Sequence, residues 1–161
     1  MHSNSQMSHW VDLVVDRLME IDENAFMQRM DVVIRYKDSK TAACIKSRLR
    51  YGQTERSLVL TDGKVKTLSH VIAEQFLQKY KNPDSKYVAI LNGDRTDLHL
   101  TNLCWCNAHQ LNMIKKIGPK ITKYTDGHQL YFLDHLGKLT YKQLFNLINV
   151  IKMWDEEEQN A

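Results

Sequence analysis

Three Asx-Gly pairs divide this chain into short segments with different hydrophobic patterns: Asp62-Gly63, Asn92-Gly93 and Asp126-Gly127. Such pairs favour the positive φ angles of tight hairpin turns. The first and third pairs predict hairpins, and the second predicts a turn after a strand. The strands concerned are expected over residues 57–60 with 65–68, 121–124 with 129–133, and 87–91. A further strand is expected over 32–36, followed by a turn at 37–40.

Helical spacing of apolar residues marks other segments. An N-terminal helix is predicted from a Ser8 cap through Trp10, Leu13, Val14, Leu18 and Ile21, with a second start at Asp22 or Asn24. Its outer face is expected to be acidic, with Asp12, Asp16, Glu20 and Glu23. Further helices are predicted over 69–79, 107–117 and 140–154, the last of them ending in a frayed acidic tail. Strands mixed with helices in this way predict the α+β class.

Length and composition indicate how these segments are organised. The chain has 161 residues, 43% of them hydrophobic, which is enough to bury an independent core. Two prolines and six glycines leave little room for linkers. We expect three parts: an N-terminal helical segment over 1–30, basic strands with a mixed core over 31–117, and a hairpin-helix module over 118–161.

Positive charge is concentrated in the predicted strand region between residues 35 and 66. Nine basic side chains there face three acidic ones, a local net charge of +6; the nine are Arg35, Lys37, Lys40, Lys46, Arg48, Arg50, Arg56, Lys64 and Lys66. Tyr36 and Tyr51 lie among them, as expected where phosphate contacts and base stacking share one surface. DNA is therefore an expected partner. The alternative is a solvated basic sheet edge that prevents aggregation.

Three segments in the middle of the chain have a recognisable pattern. Residues 69–76 read S-H-V-I-A-E-Q-F, residues 88–97 read V-A-I-L-N-G-D-R-T-D, and residues 101–105 read T-N-L-C-W. Together they resemble the HNH endonucleases of phages and mobile introns, which have H-R-L-V-A-E-A-F, V-N-H-I-D-G-N-K-T-N-N and E-N-L-x-W. Gly93, Thr96, Asn102 and Trp105 fix the register of this resemblance. It implies an HNH-like ββα core, with a β-hairpin preceding it.

The resemblance also implies that the catalytic residues are missing. HNH cleavage needs a divalent cation and a general-base histidine. In this register the base falls on Ile90, the first metal ligand on Ala89 and the helix ligand on Leu111. None of these side chains can bind a metal ion or accept a proton. A shift of one residue would offer Asn112 as the helix ligand, with Asp94, Asp97, His99 or His109 as substitutes.

Three functions follow as hypotheses. The first is a catalytically inactive, phage-encoded HNH-like protein that binds nucleic acid. The second is a phage-encoded inhibitor or modulator of a host nucleic-acid enzyme or defence complex, which would use the apolar patch at the former site to grip a host protein. The third is a residual metal-dependent endonuclease using His70, His99 or His109, which are otherwise surface or capping histidines.

Cysteine usage indicates the compartment. Cys44, Cys104 and Cys106 are odd in number and follow no secretory signal, so we expect a reducing, cytoplasmic location. With no long apolar run, no membrane partner is expected. Cys104, Cys106 and His109 offer an alternative zinc site, although one residue separates the cysteines where zinc sites usually have two. We expect no cofactor, with zinc or magnesium as the alternatives.

Overall fold

The computed structural model describes residues 7–124 and single residues between 143 and 160. Within this part the chain is mixed α and β, with small antiparallel sheets and a few helices. It separates into two compact units, Met1–Gln75 and Phe76–Ala161. No helix in the described residues has the length and apolar character needed to cross a membrane.

The first unit begins with a three-stranded antiparallel sheet. Its strands are β1 (Trp10–Asp12), β2 (Met19–Asp22) and β3 (Ile34–Tyr36), in that spatial order. Between β2 and β3 runs helix α1 (Glu23–Arg29). The Asp22 carboxylate caps α1 by accepting the Ala25 N–H at 3.2 Å. The helical start predicted at Asp22 is thus confirmed, as is the strand ending at Tyr36.

The helix predicted to start at Ser8 is wrong, because this segment forms β1 and β2 with a turn between them. The Asp16 side chain accepts the backbone N–H groups of Leu18 at 3.1 Å and Thr61 at 2.8 Å, which stabilises a turn between the two strands. Leu18, assigned to the apolar helix face, is 58% exposed in this turn. The acidic helix face is absent as well, since Lys37 pairs with Asp12 and Arg35 with Glu20.

The second sheet of this unit contains β4 (Ile45–Arg50), β5 (Gln53–Val59) and β6 (Val65–Thr67), with β5 in the centre. Its β5–β6 hairpin confirms the prediction made from Asp62-Gly63, and Gly63 has the required positive φ of 89°. Helix α2 (Leu68–Phe76) follows directly and confirms the helix predicted over 69–79. It ends three residues earlier than predicted, and a 3-10 turn follows over Gln78–Tyr80.

The second unit contains an antiparallel pair followed by a helix. Strand β7 (Tyr87–Ile90) pairs with β8 (Leu103–Cys106), and α3 (Ala108–Tyr124) comes next. The strand predicted over 87–91 and the helix predicted over 107–117 are confirmed. Gly118 lets α3 lie directly against β7, because a Cβ at this position would overlap the Leu91 carbonyl group.

The strand predicted over residues 121–124 is wrong, because α3 continues to Tyr124. Pro119 lies inside the helix. Proline removes one backbone donor and can kink a helix without ending it. The rest of the predicted C-terminal hairpin lies outside the described residues, whereas the described residues from 143 to 159 are helical and exposed, including Glu156 and Glu157 of the predicted tail. The domain boundaries after residues 30 and 117 stay predictions, although α3 spans the second of them.

Candidate nucleic-acid interface

The three positions that the HNH resemblance would assign to catalytic residues are apolar and partly closed to solvent. Ala89 is 1% exposed and pairs across the strands with Cys104. Ile90 and Leu111 are half-buried. Within the described part of the chain, no three His, Cys, Asp or Glu side chains are placed to hold a metal ion. The apolar patch predicted here is therefore smaller than expected, because Ala89 does not reach the surface.

Asn102 organises the loop between β7 and β8. Its buried side chain accepts the Asn92 N–H at 3.0 Å and donates to the Asn92 Oδ1 at 3.0 Å and the Asp97 carbonyl at 2.9 Å. Asp94 in turn accepts the Thr96 N–H and hydroxyl at 3.0 and 2.7 Å. With every polar atom of its amide engaged, Asn102 holds the loop and has no atom left for a ligand.

His70 and His99, two of the three histidines proposed for a residual nuclease, have carboxylate neighbours. His99 Nδ1 lies 2.6 Å from Asp97 Oδ1, and His70 Nε2 lies 3.3 Å from Glu74 Oε1. Burial opposes ionisation of Asp97, but hydrogen bonds from His99 and Asn92 outweigh it and lower the pKa of this carboxyl. Since His70 belongs to the first unit and His99 to the second, each pair stands as a local contact.

The residues of the alternative zinc site are not brought together as metal ligands. Cys104 and Cys106 are buried in β8, and burial raises the pKa of the Cys106 thiol to about 12. A thiol held neutral is a poor zinc ligand, because the thiolate is the form that binds. Between the two cysteines, Trp105 donates its ring N–H to the Leu77 carbonyl at 3.0 Å. These side chains therefore fill the interior of the second unit.

The predicted basic residues divide between the two sheets of the first unit. Arg35, Lys37 and Lys40 belong to the first sheet and its turn, and each is paired with a carboxylate. The Arg35 guanidinium also lies 3.6 Å from the centre of the Trp10 ring. Because Glu20 and Asp12 neutralise these cations, the first sheet presents little unbalanced positive charge.

The second sheet has a different balance of charge. Lys46, Arg48 and Arg50 alternate along β4, so their side chains share one face of the sheet. One carboxylate on that face, Glu55, accepts from Arg48 at 3.0 Å and lies 3.5 Å from Arg50. Glu55 is only 7% exposed, so its charge lies beneath the arginines. Three cations against one buried anion leave this face net positive.

The other basic residues of the second sheet lie off this face. Arg56 and Lys66, whose strand partners are Ser47 and Leu58, lie on the opposite face, and Lys64 lies between β5 and β6. Lys66 pairs with Glu74 of α2 at 3.1 Å. Within the described residues, Lys46, Arg56 and Lys64 form no ion pair. The sheet therefore has cations that are available to phosphate groups, in contrast to the first sheet.

The tip of the β4–β5 hairpin exposes an aromatic ring beside the arginines. Tyr51 is 81% exposed and Leu49 is 78% exposed. Tyr51 and Gly52 form a two-residue turn in which both have positive φ, 52° and 77°. The Arg50 guanidinium lies 5.7 Å from the centre of the Tyr51 ring. The tight turn thus exposes the Tyr51 ring beside the Arg50 guanidinium, an arrangement that suits stacking on a nucleic-acid base.

Sequence reasoning named the cations of this sheet but missed strand β4 and the polar residues that share its cationic face, Ser57 on β5 and Thr67 on β6. The signal for β4 was the alternation K-x-R-x-R over residues 46–50, which has the period of a strand. Its low hydrophobicity hid it. That Ser57 lies beside Lys46, and Thr67 beside Ser57, follows only when the register of all three strands is known.

Comparison with known proteins gives no match: no family model, no curated protein and no solved structure matches this chain.

Proposed function

We propose that this protein binds nucleic acid through the sheet formed by β4, β5 and β6, and that it does so without cutting the strand. The observation that carries the proposal is the exposed face on which Lys46, Arg48 and Arg50 surround a single buried carboxylate, ending at the exposed Tyr51 ring. Contacts to phosphates supply most non-specific affinity for nucleic acids, and aromatic stacking adds to the binding of unpaired bases.

The resemblance to HNH endonucleases supports a further part of this proposal. The β7–β8 pair followed by α3 has the order of elements of a ββα unit, and Ala89, Ile90 and Leu111 stand at the positions of its chemistry. In this view the second unit is an HNH-like core of phage origin that has lost its metal site. Asn102 then keeps the structural role that its counterpart has in the family.

Two observations support nucleic acid, rather than a host protein, as the proposed partner. A protein-binding site at the former catalytic positions needs an exposed apolar surface, yet Ala89 is buried and Ile90 and Leu111 are only half-exposed. The predicted acidic helix face does not form, because its segment folds as β1 and β2, and Asp12 and Glu20 are paired with cations of the same sheet.

Fluorescence anisotropy with labelled single-stranded and duplex DNA, without metal and at several salt concentrations, tests this function. Each phosphate contact contributes about −0.7 to the slope of log affinity against log salt for single strands and about −0.9 for duplex. The variant Lys46→Gln/Arg48→Gln should therefore reduce that slope by roughly 1.4 on single strands. Arg50 remains to pair with Glu55, so the buried charge keeps a partner.

Two controls sharpen this test. Lys86→Gln/Lys116→Gln removes the same amount of charge from exposed positions of the second unit, and we expect it to leave the slope close to that of the unmodified protein. Tyr51→Ala should weaken single-strand binding by about 1–3 kcal/mol, whereas Tyr51→Phe keeps the ring and the affinity. Equal effects of the two double variants would contradict the proposal.

The absence of cleavage needs a separate assay. Plasmid and single-stranded DNA incubated with the protein and magnesium, manganese or zinc should remain intact. Cleavage that disappears on His99→Ala would overturn this part of the proposal and assign the chemistry to the Asp97–His99 pair.

A further inference from the structure

A groove crosses the basic face of the β4–β5–β6 sheet. It has a volume of about 470 Å³ and is lined by Lys46, Ser47, Arg48, Ser57, Val65 and Thr67. Its volume falls within the range of roughly 300–1,000 Å³ that is usual for ligand clefts. All these residues belong to the first unit, so the groove is a feature of one compact body.

Strand register explains why polar groups meet in this groove. Ser57 lies on the central strand and pairs with Lys46 of β4 on one side and with Thr67 of β6 on the other. Directly opposed residues in antiparallel strands have Cβ atoms about 4.5–5.5 Å apart on the same face. One ammonium group and two hydroxyl groups therefore form a row across the three strands.

Ser57 is the informative member of this row. It is 8% exposed, and its hydroxyl has no hydrogen-bond partner among the described residues. A buried polar group without a partner is unfavourable and uncommon in proteins. Since Ser57 lines the groove, its hydroxyl is available to a ligand bound there.

The charges around Ser57 indicate the sign of that ligand. Lys46 has no ion pair within the described residues. Arg48 directs its Nε and Nη2 atoms to Glu55, at 3.2 and 3.0 Å, which leaves its Nη1 group for another acceptor. Donors from lysine, arginine and hydroxyl groups are the set that proteins use to hold phosphate oxygens.

We propose that this groove is a phosphate-binding site in which Lys46, Arg48, Ser57 and Thr67 hold one phosphate group. The inference rests on the proposed function in naming a nucleic-acid backbone phosphate as the source, and the chemistry of the groove is the same for a free phosphate ion. It adds a defined contact to a surface that would otherwise attract the backbone by its overall charge alone.

The test compares a labelled single-stranded oligonucleotide with inorganic phosphate on the full chain. Ser57→Ala removes one hydroxyl and should weaken oligonucleotide binding by about tenfold, the lower end of the effect of one hydrogen bond to a charged group. Lys46→Gln should weaken it by about tenfold at low salt. The matched controls are Thr54→Val, an exposed hydroxyl on the opposite face of β5, and Lys86→Gln; both should bind as the unmodified protein does.

Amide NMR spectra recorded during both titrations locate the site and show that each variant is folded. Shifts at Lys46, Ser57 and Thr67 with both ligands, reduced in Ser57→Ala, support the groove and a backbone phosphate as its ligand. If the oligonucleotide binds but Ser57→Ala and Lys46→Gln behave like their controls, the groove is overturned while the proposed function stands. If inorganic phosphate shifts these amides and the oligonucleotide does not bind the protein at all, the proposed function fails and the site serves another phosphate ligand. If neither produces shifts at these amides, the groove inference is refuted.

Discussion

Replacement of Asn102 by alanine should loosen the loop between β7 and β8 by a measurable amount. The change removes three side-chain hydrogen bonds, two to Asn92 and one to the Asp97 carbonyl. At a net value of about 1 kcal/mol for each bond, the loss is about 3 kcal/mol. Because a tenfold change in an equilibrium corresponds to about 1.4 kcal/mol, local opening should become roughly 100-fold more frequent.

Native-state hydrogen exchange of the Leu91 amide is the assay for this loss. That amide donates to the Asn102 carbonyl at 2.8 Å, so its exchange reports opening of the loop from β7. We expect about 100-fold faster exchange in Asn102→Ala. The Val59 amide, which donates to the Cys44 carbonyl in the first unit, is an internal control and should keep its rate.

A second variant separates this effect from a general loss of asparagine. Asn112→Ala changes the same residue type at an exposed position of α3, and exposed substitutions usually change stability by less than about 0.5 kcal/mol. An Asn102→Ala protein in which the Leu91 amide exchanges within threefold of the unmodified rate would refute the reasoning.

The remaining predictions concern the interior of the second unit. Gly118→Ala should lower the free energy of unfolding by about 1–3 kcal/mol or more in thermal denaturation, because its Cβ meets the backbone of Leu91; a change below 0.5 kcal/mol would contradict the close approach. Iodoacetamide at about pH 8, near the pKa of a free thiol, should label the exposed Cys44 in the native protein and all three cysteines in urea, as mass spectrometry would show; native labelling of Cys106 would count against its burial. Burial raises the pKa of the Cys106 thiol from 9.0 to about 12, so its contribution to stability is complete below pH 9 and declines toward pH 12 as the unfolded thiol ionises first. Urea unfolding at several alkaline pH values should show a steeper decline than in Cys106→Ala, and identical slopes would be the opposing result.

Local signals were sufficient where a turn and its flanking strands lie together in the sequence. The pair Asp62-Gly63 predicted the β5–β6 hairpin because the turn geometry and both strands lie within a dozen residues. The N-terminal segment has no Asx-Gly pair to mark a turn between two strands. Its apolar residues fit the spacing of a helix. The segment forms strands because β2 pairs with both β1 and β3 and because Asp16 stabilises the turn between β1 and β2.

The candidate site was predictable in its charges and not in its geometry. Lys46 and Arg48 were identified from the local excess of basic residues, but the same excess included Arg35, whose charge is balanced by Glu20. No sequence rule shows which cations meet a carboxylate from another strand. Ser57 joins the site through the register of three strands, and that register is known only once the strands have paired in the folded sheet.

The two-residue turn at Tyr51-Gly52 controls more than the exposure of one ring. Side chains alternate between the faces of a strand, so a shift of one residue in the pairing of β4 with β5 would turn every side chain of β4 to the opposite face. Lys46 and Arg48 would then leave the groove, Arg50 would leave the same face, and Ile45, Ser47 and Leu49 would replace the three cations. The number of residues in this turn therefore decides which face of β4 lies beside Ser57, and loss or gain of a single residue there would exchange the cationic face for an uncharged one.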